Sequence, residues 1–370
     1  MKILVWQWGK RGAGPRFAVE LAESLRLAAG TSVLLSLSTD AEIMAGGEAP
    51  LCELPMPTYA GLGGFARRLL TAPLAVGPLA RRVRALAPDL AICAMPGPLD
   101  LLMAEALRRA RVPMLVVVHD ADPHPGDALP LQMLLQRRLV LRADGLIALT
   151  AHVGERLRAQ RLAGIPGVRR RLFLASLPPF VFGPPPPPAG RHGGRRRLLA
   201  FGRLRPYKGL DLLADALRQF PRMDEIELRV VGHGPESDAL AALRSLPNVT
   251  VENRWVAEGE VGGLIAWADA LVLSHREASQ SGVAAAAIAA RRWIVSTRVG
   301  GLAEQLGGAP GAILCDPEPD SLADALGRLL DRPPVLPAAS PAGPRAEWHG
   351  VTAGLLGELR RSFPIEEAGA

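Results

Sequence analysis

The densest grouping of residues suited to phosphate chemistry is Phe201-Gly202-Arg203-Leu204-Arg205-Pro206-Tyr207-Lys208-Gly209. A glycine at a strand end lets a phosphate oxygen approach the backbone, and Arg203 and Lys208 can fix positive charge beside it. A charge-assisted hydrogen bond contributes roughly 1.5–3 kcal/mol, so two cations can hold a diphosphate firmly. Lys208 also stands out by rarity, because the chain has 40 Arg and only three Lys. On spacing alone the same run equally describes a solvated basic turn.

Further on, His275-Arg276-Glu277-Ala278-Ser279-Gln280-Ser281-Gly282-Val283 follows the apolar run Ala270-Leu271-Val272-Leu273. Glu277 sits at the mouth of that loop, where a carboxylate accepts hydrogen bonds from sugar hydroxyls. Ser279, Gln280, Ser281, Gly282 and Val283 open a helical stretch over 281–290 whose first amides can cradle a phosphate. Ser279 or Ser281 serves equally well as a plain N-cap. A third strand, loop and helix follow in Val295-Ser296-Thr297-Arg298-Val299-Gly300-Gly301-Leu302-Ala303-Glu304.

The first half offers two more loops. Gly12-Ala13-Gly14-Pro15-Arg16 follows the opening strand, but its spacing is not the dinucleotide fingerprint, since no acidic strand end follows at the required distance. A loop that touches a donor phosphate or admits an acceptor fits better. His119-Asp120-Ala121-Asp122-Pro123-His124-Pro125-Gly126-Asp127 places five potential metal ligands in nine residues. Its two prolines restrict how those ligands converge, so no metal site is expected.

Strand-like runs at 2–7, 32–37, 90–94, 114–118 and 145–149, then 198–201, 227–231, 249–252, 271–273 and 293–296, must position these loops. Helical periodicity over 15–29, 99–110, 209–218 and 320–330 separates them. Strand and helix in alternation, run twice, predict an α/β protein of two Rossmann-like, doubly wound parallel sheets. The expected domains are 1–176 and 198–344, joined by a Pro/Arg-rich linker at 177–197, with a last helix at 345–361 that returns to the first domain. Ligands of such sheets bind beyond the carboxyl ends of the strands, so the chemistry is expected in a cleft between the two.

Taken in order, these segments resemble the second domain of family-4-type GT-B glycosyltransferases, the group 1 glycosyl transferases. The shared pattern is Gly202-Arg203, Lys208-Gly209, Val231-Gly232-His233-Gly234-Pro235, Glu277 and Val299-Gly300-Gly301, over about residues 198–306. The first domain resembles the family more loosely, through Gly12 to Arg16 and Val118-His119-Asp120. The resemblance implies sugar transfer from a nucleoside-diphosphate sugar with retained anomeric configuration and no metal or other cofactor. Arg203 and Lys208 would neutralise the departing diphosphate and Glu277 would hold the donor sugar. Gly202, Gly12, Gly14 and Ser279 to Val283 would line the donor phosphates. His119 would stand near the reacting sugar, with Asp120 and Arg16 on the acceptor side. Asp120-Ala121-Asp122 reads as the metal-binding DxD of the other glycosyltransferase architecture, but here it is paired with a separate cation clamp. The family's second Glu, eight residues after the first, is replaced by Ala285, which puts ribose recognition in question. Two rivals follow: a GT-B nucleotide-sugar epimerase, and a scaffold that keeps the fold without donor affinity.

Residues 1–190 carry 22 Lys and Arg against 14 Asp and Glu, while residues 191–370 carry 21 against 22. The basic half predicts an anionic partner. Stretches 65–84 and 132–142 mix Leu, Val and Ala with arginine, which suits a membrane face as well as an ordinary solvated helix. Nucleic acid is excluded as a partner by the lack of any recognised binding signature and by an aromatic fraction of 4%. Cys52, Cys93 and Cys315 are scattered, so neither a disulfide framework nor a cysteine zinc site is expected. With no signal peptide and no apolar run long enough to span a bilayer, the expected compartment is the cytoplasm, at the inner membrane face. The expected acceptor is a glycan or lipid-linked intermediate of envelope or exopolysaccharide synthesis.

Overall fold

A computed structural model describes residues 1–45, 49–122, 130–336, 338 and 343–364. Two compact units result: among the described residues one contains 1–121, 130–176 and 345–364, the other Asp122 and the stretch from Leu177 to Pro344.

In the first unit, β1 (Lys2–Gln7), β2 (Ser32–Leu37), β3 (Leu90–Cys93), β4 (Met114–Val118), β5 (Gly145–Ala148) and β6 (Arg171–Leu174) form one parallel sheet in the order β2-β1-β3-β4-β5-β6. Its crossovers carry α1 (Ala13–Arg26), α2 (Gly61–Leu86), α3 (Asp100–Ala110), α4 (Pro130–Arg142) and α5 (Ala151–Ala159). In the second unit, β7 (Arg196–Phe201), β8 (Ile226–Gly232), β9 (Val249–Asn253), β10 (Ala270–Leu273), β11 (Trp293–Thr297) and β12 (Ala312–Cys315) pair in the order β12-β11-β10-β7-β8-β9. Its helices are α6 (Leu210–Gln219), α7 (Asp238–Arg244), α8 (Glu258–Trp267), α9 (Gly282–Ala289), α10 (Gly300–Leu306) and α11 (Pro319–Asp331).

Strands such as Met114–Val118 and Leu90–Cys93 are buried along their whole length, which is why their sequences are apolar without alternation. At the sheet centres the register sets apolar residue against apolar residue, as in Ile3 beside Leu90 and Ala200 beside Val230. The two strands that sequence patterning does not reveal, β6 and β12, are four-residue edge strands. Arg171 and Leu174 are exposed in β6, and β12, although apolar throughout, is only four residues long and fully buried at alternate positions.

A last helix, α12 (Gly343–Ser362), belongs to the first unit. Its Thr352 hydroxyl lies 2.7 Å from that of Ser24 on α1, and Arg360 donates to the Ala29 carbonyl at 2.6 Å. Trp348, Leu355, Leu356 and Leu359 are buried. Residues 177–197, expected as a spacer, are bonded into the second unit. Buried Arg292 donates to the Pro187 carbonyl at 2.6 Å, and Asp269 accepts from the amides of Gly190 and Arg197 and pairs with His192 at 2.8 Å.

Strand order reverses between β1 and β3 in the first sheet and between β7 and β10 in the second. In open parallel sheets ligands bind beyond the carboxyl ends at such reversals. The loops of Gly12, of Gly202 to Gly209 and of His275 to Val283 leave β1, β7 and β10, and that of His119 leaves β4, beside β3.

Candidate active site

In the second unit, the loop after β7 is fastened to the loop after β8. The amides of Gly202 and Leu204 donate to the carbonyls of Val231 and His233 at 3.1 and 3.0 Å. A Cβ on Gly232 would run into the Gly202 carbonyl, and one on Gly234 into that of Leu204. The glycines of Val231-Gly232-His233-Gly234 therefore let two backbones touch. Gly209 has φ 62°, and a Cβ there would strike the Ser274 carbonyl at the end of β10. This contact, with Ser274 Oγ donating to the Lys208 carbonyl at 2.9 Å and the Arg276 amide to Tyr207 at 2.8 Å, locks the turn 206–209 against the loop after β10.

That lock gathers two cations on one ring. The Arg203 guanidinium lies 5.7 Å and Lys208 Nζ 5.3 Å from the centre of buried Tyr207. Lys208 Nζ also donates to His275 Nε2 at 2.7 Å, which fixes a neutral imidazole protonated on Nδ1. Like charges held this close favour a bound anion. Tyr207 and His275 are the residues that motif reading passes over, because they act by supporting the cations through space. Thr297 on β11 braces His275 by donating to its carbonyl at 2.6 Å, and Arg276 is anchored to Asp211 at 2.8 Å.

Glu277 is exposed beside this cluster in sequence, Ser279 is buried, and Gln280, Gly282 and Val283 are partly buried. A Cβ on Gly202 would lie 3.7 Å from Val283, so the end of β7 faces the first turn of α9. Ser281 is the N-cap: its Oγ accepts from the Ala284 amide at 3.2 Å, and Gln305 brackets its amide and carbonyl at 2.8 and 3.0 Å. The hydroxyl, amide and carbonyl of Ser281 therefore all serve the fold, the plainer of its two readings. Ala285 is 1% exposed, between the buried Ala284 and Ala286, and offers only a methyl group.

In the first unit, Gly12 is the N-cap of α1 with φ 83°. Gly14 is buried against the side chains of Gln7 and Met95, so it serves close packing. Arg16 pairs with Glu20 at 3.5 Å, and Lys10 with Asp40 at 2.9 Å. At the end of β4, His119 Nε2 lies 2.9 Å from the Ala94 carbonyl beyond β3, and the ring stands edge-on to Phe17 at 5.0 Å. Burial lowers its pKa, against the Ala94 hydrogen bond and the charge of exposed Asp120, so the imidazole is neutral at pH 7. Phe17 in turn rests on Trp348 at 5.6 Å. Asp100, just beyond β3, is fully buried; its Oδ2 accepts from the Gly97 amide at 2.6 Å and from the Cys93 thiol at 3.4 Å. Burial pushes this carboxyl up to about 7. His124 and Asp127 lie outside the described residues. Among the described residues no cluster of three or more metal-ligating side chains forms, and no helix is long and apolar enough to cross a membrane.

Comparison with known proteins then decides the family. The family described as Glycosyl transferases group 1 matches residues 195–332, and the Glycosyl transferase 4-like domain matches residues 12–173. One match falls on each unit, and together they take in most of the chain. The chain belongs to the group 1 glycosyl transferases. This glycosyl transferase is similar to Anabaena HepE in complex with UDP and glucose, at 18% identity over 98% of this chain and 100% of that one, with a TM-score of 0.67. It is similar to sucrose-phosphate synthase from Thermosynechococcus elongatus at 16% identity, 98% of each chain and TM-score 0.65. A putative UDP-N-acetylglucosamine 2-epimerase from Listeria monocytogenes aligns at 12% identity, 100% of this chain and 98% of that one, with TM-score 0.58. At these identities the likeness is one of fold, the GT-B architecture of two Rossmann-like halves. No curated protein matches the sequence.

Proposed function

We propose that this glycosyl transferase moves a hexose from a nucleoside-diphosphate sugar to a hydroxyl of a glycan or lipid-linked acceptor, with retained anomeric configuration and without a metal ion. The observation that carries this reading is the pair of cations, Arg203 and Lys208, over the single Tyr207 ring at the strand-order reversal of the second sheet. A diphosphate placed there meets two fixed positive charges, which stabilise it as the bond from its oxygen to the anomeric carbon breaks. The acceptor oxygen forms its bond to that carbon on the same face, and its proton passes to the leaving phosphate oxygen. Glu277 holds the sugar hydroxyls, and the opening amides of α9 at Gly282 and Val283 face the phosphate.

On the first unit, neutral His119 and Asp120 orient the acceptor hydroxyl. The complex of HepE with UDP and glucose supports a nucleoside diphosphate as the donor part. Envelope or exopolysaccharide synthesis, at the inner membrane face, is the setting proposed.

Titration calorimetry with UDP, GDP and their sugars tests the reading. Binding by the wild type and its loss in Arg203→Ala and Lys208→Ala is the expected result; equal binding by the variants removes the clamp. Ala285 favours a second reading, a scaffold without donor affinity, because it leaves no carboxylate for the ribose. Absence of binding by any nucleotide would select it.

A further inference from the structure

The helices α2, α3 and α4 of the first unit pack in that sequence, α2 along α3 and α3 along α4. Neither α2 nor α4 contains a single aspartate or glutamate. Arg67, Arg81, Arg82 and Arg84 on α2 are exposed, as are Arg137 and Arg138 on α4. On α3, Asp100 is buried and the half-buried Glu105 is already bound by Arg108 and Arg109 at 2.8 and 3.0 Å. Solvated helix faces ordinarily intersperse the two signs; this one carries only one.

The apolar side chains on the same helices are the second observation. Among the described side chains of α2, none before Val76 is buried. Leu70 and Leu74, one turn apart, are 82% and 79% exposed, with Pro73 exposed on the same side. On α4, Leu131, Leu134 and Leu141 are exposed around Arg138. A nucleic acid would use the arginines and leave the leucines in water. An acidic protein would have to match both over two helices. A lipid surface takes both at once: leucine enters the boundary between headgroups and acyl chains, and guanidinium groups meet the lipid phosphates.

We infer that α2 and α4 are the docking surface for an anionic bilayer, with Leu70 and Leu74 inserted and the flanking arginines on lipid phosphates. This gives residues to the membrane setting proposed above but does not rest on sugar transfer, since the surface lies within one unit and needs neither donor nor acceptor.

The test is flotation of the full chain with vesicles of phosphatidylcholine alone or mixed equally with phosphatidylglycerol, in the absence of nucleotide. The wild type is expected to float with the mixed vesicles only. The pair Leu70→Ser and Leu74→Ser, and separately the set Arg67→Gln, Arg81→Gln and Arg138→Gln, should each weaken binding by about tenfold or more. All five positions are exposed or flank exposed turns, so circular dichroism and Tm should match the wild type. Arg332→Gln, exposed on the second unit, should leave flotation unchanged. Wild-type protein that ignores the mixed vesicles, a leucine pair that binds like the wild type, or a duplex RNA that outcompetes the vesicles would each overturn the inference.

Discussion

The carboxyl edges of the two sheets solve the problem of a polar site in opposite ways. Beyond β7 and β10 the second unit sets charge outward: Arg203 is exposed, Lys208 is held by His275, and glycines are spent on letting backbones touch. Beyond β3 and β4 the first unit turns two titratable groups inward: His119 is capped by a carbonyl, and Asp100 is sealed beside a thiol. A clamp of cations suits a charged ligand, and a sheltered neutral imidazole suits a hydroxyl that must be oriented without being ionised.

The contrast breaks most visibly at the cations. Arg203→Ala or Lys208→Ala should lower turnover by about 10²–10³, measured by nucleoside-diphosphate release with acceptor present. Turnover near the wild type would show that the second edge is not the diphosphate side. A next, smaller effect comes from placing one methyl at each edge. Gly209→Ala should cost about 2 kcal/mol or more in thermal or urea unfolding, because both its left-handed φ and the Ser274 carbonyl oppose a Cβ. Gly14→Ala should cost about 1 kcal/mol or less, since its Cβ meets the movable ends of Gln7 and Met95 and alanine favours the helix.

Asp100 gives the first edge a pH signature. Its carboxyl, at about 7 in the folded chain against 3.8 when exposed, binds more protons folded than unfolded in between. Its contribution is fully present below the unfolded value and is lost as pH rises through the folded one, so stability declines from about pH 4 to pH 7. Asp100→Asn should flatten that decline in Tm-against-pH curves; an unchanged slope would place its origin elsewhere. The smallest effect expected is none: EDTA should leave donor turnover unaltered, and strict metal dependence would overturn the clamp mechanism.

Most of the fold is legible in the sequence because burial forces largely apolar strands, and β6 and β12, four-residue strands at the sheet edges, are too short to stand out. The site is legible where chemistry and backbone constraint coincide. Gly202, Gly209 and Gly232 mark close approaches, and Arg203 and Lys208 travel with them. Tyr207 and His275 are not legible, because a ring beneath two cations and an imidazole that accepts from one are relations in space rather than in spacing. The same limit hides the bonding of residues 177–197. A proline-rich composition predicts stiffness but cannot name Arg292 and Asp269, some 80 to 100 residues away, as the groups that hold it.

The return of α12 to the first unit makes that unit discontinuous along the chain. During synthesis at ~5–20 residues per second, Phe17 waits roughly 10–30 s after Ser176 is made before Trp348 exists to cover it. The second unit, which takes Asp122 from the first half and otherwise runs from Leu177 to Pro344, has all of its strands made while its neighbour still lacks α12. Clipping the chain near Gly343 would then strip the support behind His119 yet spare the lobe proposed to grip the nucleotide.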